Sequence, residues 1–232
     1  MLFMECLYVN KILSVGEIYE LTTDESKHAR ALRLREGDNI YLTNGIGSVY
    51  LSELVSYSKN SATCRILESY ANFGEPAKYV HAFIALIENR DRMDFCIEKC
   101  IEIGVSEFTF LQSKYSAKRQ ANPERLQAKA IAAIKQCKRA MLPKFNPTID
   151  IANIEDEIGD YEVFLADENG KSFAAYSPTS NVAFIVGPEG GFTEEEIAML
   201  QNLENVLLVN LGNRRLRAET AAIAMSVLCL NH

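Results

Sequence analysis

Residues 185–197 read IVGPEGGFTEEEI, in which the end of an apolar run leads into a glycine-rich turn and then into the start of a helix. Thr193 and Glu196 have the spacing of a capping box, so the sequence predicts a helix that begins directly after this turn. In open α/β sheets, ligands bind where the carboxyl end of a strand leads to the amino end of a helix. Neither GxGxxG nor a Walker loop is present, so a tight structural turn is an equally good interpretation of this stretch alone.

A second stretch, 206–222, reads VLLVNLGNRRLRAETAA and repeats the order of strand, glycine turn and helix. This turn carries Arg214, Arg215 and Arg217 beside an otherwise apolar helix. A turn alone has no need of three arginines beside an otherwise apolar helix, and arginine is common where charged groups are recognised. We therefore predict that the two loops follow neighbouring strands and together form a pocket with backbone hydrogen-bonding groups and directed cations.

The chain has two regions of different pattern. Short segments rich in β-branched and aromatic residues, with one helical stretch at about 24–32, predict a small β domain over residues 1–72. Beyond the Gly- and Pro-containing residues 72–76, strand and helix patterns alternate and predict a parallel α/β domain over residues 73–232. The predicted strands are 39–43, 47–55, 62–67, 79–87, 107–111, 161–166, 182–186 and 206–210, with turns that include Gly37-Asp38, Asn44-Gly45 and Lys59-Asn60. The predicted helices of the second domain are 91–104, one opened by Pro123, one from about Thr193 and 218–230.

Charge is distributed unevenly along the chain. The protein of 232 residues has a net charge of −7, yet residues 112–144 contain nine basic residues and one acidic residue, so this segment carries +8. Charge asymmetry, rather than net charge, attracts a polyanion, and the segment therefore predicts a surface for an anionic partner. A solvated helix face is the alternative interpretation.

Composition argues against several other classes of protein. The amino-terminal residues lack the features of a signal peptide, and no apolar run is long enough for a membrane helix, so we expect a soluble, cytoplasmic protein. Six cysteines are scattered without a CxxC motif. Cys96 and Cys100 are four residues apart on a predicted helix and could suggest a metal ligand pair, but buried reduced thiols are the favoured interpretation. We expect no metal site.

The two glycine loops, GPEGGFTEEEI and LGNRRLRAETAA, closely resemble those of the bacterial small-subunit ribosomal RNA uracil-N3 methyltransferases, of the SPOUT class. ENRDRMDFCIEKCIEIGVSEFTFLQSKYS at 88–116 and QCKRAMLP at 136–143 are similar to further segments of that family. HARALRLREGDNIYLTNGIG at 28–47 is similar to its PUA-like domain. The resemblance implies a PUA-like β-barrel followed by a SPOUT-type α/β parallel sheet with a carboxyl-terminal trefoil knot.

By the same resemblance, the cofactor is S-adenosylmethionine, bent into the knot. Its adenine and ribose are expected to be held by backbone groups of three segments near the carboxyl ends of predicted strands. The residues implied are Leu165, Ala166, Val186, Gly187, Glu189, Gly190, Gly191, Leu211, Gly212 and Leu216.

The implied acceptor, N3 of a uridine in 16S ribosomal RNA, carries a proton at neutral pH. The site must stabilise a uracil anion, supply a base, or do both. Arg217 is expected to stabilise the anion, and Glu189 or Glu219 to act as the base. A purely structural role for Glu189 in its own turn is an equally weighted alternative.

The implied partner is 16S ribosomal RNA, within the small ribosomal subunit. A homodimer that packs partly through residues 221–230 is also implied, and no membrane is involved. Phosphate contacts are expected from the basic segment and from an arginine cluster of the first domain. The residues expected to contact RNA are Arg30, Arg33, Arg35, Lys114, Lys118, Arg119, Lys138, Arg139 and Arg214.

Two alternatives stay open at this point. One keeps the fold but changes the target to a transfer RNA or a ribose 2′-hydroxyl. The other is a ribosome-assembly factor that binds RNA without catalysis, which a measurement of cofactor binding would distinguish.

Overall fold

The computed structural model describes residues 4–58, 61–178 and 181–231, and this part of the chain folds into two compact units. The first unit ends at Glu75 but also contains residues 131–142, and the second contains residues 76–130 and those from Pro143 onward. Residues 131–142 join the first unit through hydrogen bonds that involve their main chain. The Thr43 hydroxyl donates to the Arg139 carbonyl at 2.7 Å, and the Ala140 amide donates to a carbonyl at Phe73.

The first unit is built on a sheet that, in the described residues, has five strands. Their bounds are Cys6–Tyr8 (β1), Ile18–Glu20 (β2), Asn39–Thr43 (β3), Ser48–Tyr57 (β4) and Ala62–Ala71 (β5). The strand order is β1-β3-β4-β5-β2; β1 and β3 are parallel, and the other pairs are antiparallel. The predicted turn at Lys59-Asn60 lies outside the described residues. Alternating buried positions on β4 and β5 pack into an apolar core that includes Tyr50, Leu54 and Ile66.

The second unit has a parallel sheet of seven strands within the described ranges. Their bounds are Val80–Ala85 (β6), Glu107–Gln112 (β7), Lys144–Phe145 (β8), Ile149–Asp150 (β9), Glu162–Ser172 (β10), Val182–Val186 (β11) and Val206–Asn210 (β12). The order is β12-β10-β11-β6-β7-β8, and β9 also pairs with β7. Every residue of β6 and β11 is buried, as expected of parallel strands covered on both faces.

Helices connect these strands, and their ends follow local signals. Their bounds are Thr23–Ala31 (α1), Arg90–Ile103 (α2), Pro123–Cys137 (α3), Glu155–Ile158 (α4), Glu194–Gln201 (α5) and Ala218–Asn231 (α6), with 3₁₀ turns at Ile151–Asn153 and Phe173–Ala175. The Asn89 side chain caps α2 by accepting a hydrogen bond from the Arg92 amide, and Gly104 ends it at φ 128°. The capping box predicted for α5 is confirmed, because Thr193 and Glu196 exchange both hydrogen bonds. No helix in the described ranges is long and apolar enough to cross a membrane.

The parallel sheet and most of its strands are confirmed, but one prediction about their order is wrong. The strands that precede the two glycine loops, β11 and β12, are not neighbours, because β10 lies between them. β10 is also longer than predicted. It continues past Ala166 through an irregularity, so that Ala166 and Lys171 both pair with Val209. Three adjacent strand ends, rather than two, therefore form this edge of the sheet.

A buried polar cluster lies at the amino ends of β6 and β7, at the opposite edge. His81 Nε2 is 2.8 Å from Thr109 Oγ1, while His81 Nδ1 is buried and has no hydrogen-bond partner within the described ranges. Burial lowers the pKa of His81 to about 4. Burial alone would raise the pKa of Glu107, but three hydrogen bonds to its carboxylate outweigh this and lower it to about 2. The donors are Lys144 at 2.6 Å, Asn146 at 2.8 Å and Tyr79 at 2.8 Å.

Candidate active site

The predicted cofactor-binding residues lie at or after the carboxyl ends of β10, β11 and β12, which are adjacent in the sheet. Leu165 and Val186 are buried in the strands, and Ala166 is half-buried where β10 becomes irregular. The residues of the two turns are half-buried or exposed. These are Gly187, Glu189, Gly190 and Gly191 after β11, and Leu211, Gly212 and Leu216 after β12.

Glycine is required in the β11 loop for close approach. A Cβ at Gly190 would lie 2.9 Å from the Cβ of Tyr115, which follows β7, and a Cβ at Gly187 would lie 3.2 Å from the ring of Phe192. Glu196 fixes the same region with both carboxylate oxygens. One accepts the Thr193 amide at 2.8 Å and the other accepts the Lys114 amide at 2.8 Å. The helix cap therefore also anchors the loop after β7.

The irregular part of β10 and the loop after β12 are also joined. A Cβ at Gly170 would overlap the backbone of Val209, so the strands approach at this point only because residue 170 is glycine. Asn210 accepts the Gly212 amide at 2.7 Å through its side-chain oxygen and donates to the Glu168 carbonyl through its amide. Asn210 was missed in the sequence, where it stands as the last residue of an apolar run.

A guanidinium group links the two glycine loops directly. Arg215 donates a hydrogen bond of 3.2 Å to the main-chain carbonyl of Glu189. At Gly191 (φ 73°) and Gly212 (φ 112°) a Cβ would meet no atom of the described residues within 4 Å, so bare backbone borders open space on both loops. Backbone groups beside open space on these two loops leave room for a ligand, and the assignment of cofactor-binding residues stays a prediction.

The predicted catalytic residues Arg217 and Glu219 come together at the start of α6, with a third residue from α2. Glu219 is 7 % exposed; its Oε1 lies 4.0 Å from Arg217 Nη1 and 3.8 Å from Arg92 Nε, and its Oε2 has no hydrogen-bond partner among the described residues. Arg92 was missed in the sequence, although it lies in ENRDRMD, directly after a predicted buried strand. That position at a strand end was the available signal.

Glu189, the third predicted catalytic residue, has a different environment. Its carboxylate is exposed and accepts a long hydrogen bond of 3.4 Å from the Glu88 amide, after β6. Glu189 is therefore accessible to a large substrate, whereas Glu219 is buried beside two guanidinium groups. The two carboxylates are suited to different roles.

The residues expected to contact RNA differ in accessibility. The side chains of the first unit's arginine cluster, Arg30, Arg33 and Arg35, are exposed and border a shallow depression with Tyr57. In the second unit, Lys114, Lys118 and Arg214 are exposed. Arg119 is half-buried and donates hydrogen bonds to the carbonyls of residues 87 and 88, and Lys118 donates to the carbonyl of residue 113. Lys138 is half-buried, with its ammonium group 5.4 Å from the ring centroid of Tyr41.

The prediction for Arg139 is wrong. Arg139 is 2 % exposed, and its guanidinium donates to the Glu75 carboxylate at 2.8 and 3.2 Å. Glu75 also accepts the Met141 amide at 2.9 Å. A phosphate cannot reach this guanidinium, and its role is to hold residues 131–142 within the first unit.

The basic segment at 112–144 also offers less free positive charge to an anionic partner than its sequence predicts. Four further members pair with acidic residues that lie elsewhere in the chain, which accounts for the one-sided charge of the segment. These pairs are Arg125 and Lys129 with Asp94, Lys135 with Glu25, and Lys144 with Glu107. The free positive charge is therefore concentrated at its amino-terminal end.

The described ranges contain no cluster of three or more His, Cys, Asp or Glu side chains that could hold a metal ion. Cys96 and Cys100 are buried free thiols on α2.

Comparisons with known proteins agree with this arrangement. A family model described as an RNA methyltransferase domain matches residues 75–229, and one described as an RNA methyltransferase PUA domain matches residues 21–67. The chain is 28 % identical over 225 residues to the ribosomal RNA small subunit methyltransferase E of Rickettsia conorii, covering 94 % of this chain and 91 % of that protein. It is 28 % identical to the protein of the same name from Bacillus subtilis, covering 88 % of this chain and 86 % of that protein.

Solved structures are similar over nearly the whole chain. The ribosomal RNA small subunit methyltransferase E of Neisseria gonorrhoeae, bound to S-adenosyl methionine, has a TM-score of 0.88 and 29 % identity, covering 96 % of this chain and 95 % of that one. A putative methyltransferase from Legionella pneumophila, in complex with the same cofactor, has a TM-score of 0.83 and 26 % identity, covering 97 % of this chain and 96 % of that one.

Proposed function

The chain belongs to the RNA methyltransferase family, and from this premise we propose that it methylates RNA of the small ribosomal subunit with S-adenosylmethionine as donor. The resemblance found in the two glycine loops is confirmed at the level of the family, and the family model of the PUA domain matches residues 21–67 within the first unit. The observation that carries the proposal is the set of three adjacent strand ends, β10, β11 and β12, whose glycine loops are linked by Arg215.

In this proposal the cofactor lies against those strand ends. Leu165 and Ala166 of β10, the loop at 187–191 and the loop at 211–216 would hold its adenine and ribose through backbone groups. When bound, S-adenosylmethionine supplies an electrophilic methyl group, which an aligned nucleophile takes in one in-line displacement. The loops contribute alignment, and their fastening by Arg215 and Asn210 limits the motion of the bound donor.

Uridine N3 is the acceptor that we propose, and it must lose its proton to become nucleophilic. Arg217, whose side chain is 67 % exposed, would donate to a uracil carbonyl oxygen and stabilise the anion. Glu219, buried at 4.0 Å from Arg217 and 3.8 Å from Arg92, would act as a positioning residue that orients both guanidinium groups toward the base. Electrostatic groups fixed before the reaction need no reorganisation during it.

Glu189 is the accessible carboxylate, and we propose that it receives the N3 proton. The N3–H bond would break as the proton moves to the Glu189 carboxylate, which would leave the N3 electron pair free to accept the methyl group that the bound cofactor would supply. The hydrogen bond from the Glu88 amide uses one carboxylate oxygen and leaves the other available.

We also propose that the protein acts as a homodimer through α6. Val227, at 43 % exposure, is an unusually accessible apolar side chain on this otherwise largely buried helix. A measurement of mass in solution tests this proposal, and Val227→Glu should shift the mass toward that of a monomer.

Nucleoside mass spectrometry tests the proposed function. Small-subunit ribosomal RNA from cells that lack this protein should lack N3-methyluridine, and purified protein with S-adenosylmethionine should restore it. Restoration of a different methylated nucleoside would keep the family and replace the target. If no nucleoside changes and the protein does not bind the cofactor, the proposed activity is wrong.

A further inference from the structure

A cavity of about 280 Å³ lies in the second unit and is not used by the methyl transfer proposed above. Its floor is apolar and includes Leu86, Met93 and Phe110, while its rim is polar and includes Arg90 and Asn122. An apolar floor with a few polar groups at the edge is the usual design of a small-ligand site. The volume is at the lower end of such sites and suits one flat ring.

The rim carries positive charge that the protein does not neutralise. Asp94 is the one carboxylate among the described lining residues, and Arg125 binds it at 2.7–3.0 Å. Arg119 donates to two main-chain carbonyls and so keeps its full charge. The side chain of Arg90 is exposed and has no hydrogen-bond or ion-pair partner within the described residues. The ligand is therefore expected to carry, or to adjoin, negative charge.

The cavity is a direct neighbour of the candidate active site but is separate from it. The first turns of α2 present Arg90, Met93 and Asp94 to the cavity, whereas Arg92 lies beside Glu219. The two sites are thus separated by one helix, on the order of 10 Å across. A ring in the cavity cannot be the ring that Arg217 contacts.

A short path of hydrogen bonds also connects the cavity with the β11 loop. Arg119, on the rim, donates to the carbonyl of Glu88, and the amide of Glu88 donates to the carboxylate of Glu189. A ligand that holds Arg119 in place would thereby support the carboxylate that is proposed to take the N3 proton.

From these observations we propose that the cavity binds one nucleobase of the RNA strand, close in sequence to the uridine that is methylated. This inference rests on the proposed function. Proteins that read single-stranded RNA stack splayed-out bases on apolar, aromatic or guanidinium surfaces, and phosphate groups then lie near cations at the edge. Met93 and Leu126 supply the apolar surface for the base, and Arg90 supplies the cation for the adjoining phosphate.

Nuclear magnetic resonance of protein labelled with ¹³C at the methionine methyl groups tests this inference without methyl transfer. The probes are the four ribonucleoside 5′-monophosphates at millimolar concentrations, and ribose 5-phosphate is the matched control without a base. The Met93 signal, assigned with Met93→Leu, should move upfield with at least one nucleotide through the ring current and stay in place with ribose 5-phosphate. Met225, buried in α6, is the internal control.

A filled cavity should abolish this response. In Ala121→Phe the new ring would occupy the cavity that Ala121 lines, so the Met93 signal should no longer respond to nucleotides. Cofactor affinity should stay within about twofold of wild type, while methyl transfer to ribosomal RNA should fall at least about tenfold. Lys27→Ala removes an exposed cation on α1 and is the control variant; its Met93 signal should respond to nucleotides as in the wild type.

Three results would overturn the inference. These are a Met93 signal that responds to no nucleotide, an equal response to ribose 5-phosphate, and an Ala121→Phe protein that methylates at the wild-type rate. If the wild-type protein did not bind the cofactor, the proposed function would instead be contradicted. Failure of the inference and failure of the proposed function are therefore distinguishable.

Discussion

Arg92 Nε lies 3.8 Å from Glu219 Oε1, which joins the first turn of α2 to the first turn of α6 across the candidate active site. The same oxygen lies 4.0 Å from Arg217, and the other carboxylate oxygen is buried without a hydrogen-bond partner in the part of the chain that the structure describes. A buried carboxylate is costly unless it is paired. Its retention between two guanidinium groups is therefore best explained by a need to hold them in a fixed direction.

Arg217→Ala is expected to lower methyl transfer by about 100-fold or more, since removing one group that stabilises developing negative charge has that effect. Cofactor affinity should remain within a few-fold, because the cofactor is proposed to be held by backbone groups. Single-turnover transfer and calorimetric cofactor binding measure the two quantities. Arg214→Ala, an exposed neighbour in the same loop that is expected to contact RNA, is the matched comparison: it should weaken RNA binding but keep single-turnover transfer near the wild-type rate at saturating RNA. Equal losses of transfer and cofactor binding in Arg217→Ala would refute this role.

Glu189→Gln and Glu219→Gln should differ in their pH profiles. In Glu189→Gln the new amide oxygen could still accept the Glu88 amide but could not take a proton, so transfer should fall by about 100-fold or more near neutral pH and recover in part as hydroxide rises. For Glu219→Gln, which would loosen two arginines, the rate should fall at every pH without a change in the shape of the profile. Identical profiles for both variants would show that the two carboxylates do not have the distinct roles proposed.

Much of the fold could be predicted from the sequence because its elements have strong local signals. Local signals specify several boundaries without tertiary information. These are the capping box at Thr193, Gly104 at the end of α2, and the apolar runs of β11 and β12. The order of strands in the sheet could not be predicted this way. The position of β10 between β11 and β12 depends on the path of the chain between strands, which no local pattern encodes.

The candidate site was predictable in its loops but not in its pairings. Charge counted along the chain treats Arg139 and Lys114 alike, although one is buried against Glu75 and the other is exposed. Glu75, which pairs with Arg139, lies 64 residues away in sequence, so the ion pair forms only when the chain folds. Arg92 was missed for the same reason, because its relation to Glu219 crosses from α2 to α6.

Arg139→Ala is expected to reduce stability rather than RNA affinity. Removing this guanidinium leaves the Glu75 carboxylate without its main partner, and breaking a buried ion pair in this way costs about 3–5 kcal/mol. Chemical denaturation measures the loss, and the double variant Arg139→Met with Glu75→Leu should recover part of it. Lys114→Ala is the contrasting variant. It should leave stability unchanged and lower the salt dependence of RNA binding by about one unit of slope. A stable Arg139→Ala protein with weakened RNA binding would restore the original prediction for this residue.

The free energy of unfolding should decrease as the pH is lowered, in two adjoining pH ranges set by His81 and Glu107. The pKa of His81 is lowered by burial from 6.5 to about 4, so below pH 6.5 the unfolded chain binds a proton that the folded chain excludes. The pKa of Glu107 is lowered from 4.5 to about 2, so the stability that its hydrogen bonds contribute above pH 4.5 is lost as the pH falls toward 2. The lowered pKa of His81 accounts for a loss of stability on the order of 3 kcal/mol between pH 6.5 and pH 4. Glu107 contributes less, because the side chain of Lys144, its closest partner, is exposed to solvent that screens the pair.

Urea unfolding of wild type and His81→Asn between pH 7 and pH 4.5 tests the first pH range. The wild type should lose about 2–3 kcal/mol more than the variant over this range, because the asparagine has no proton to bind. Glu107→Gln is the matched control; it should keep the loss between pH 6.5 and 4 and lack the one below pH 4.5. Equal losses in wild type and His81→Asn would mean that the imidazole is not held neutral. The polar cluster at the amino ends of β6 and β7 would then be open to water.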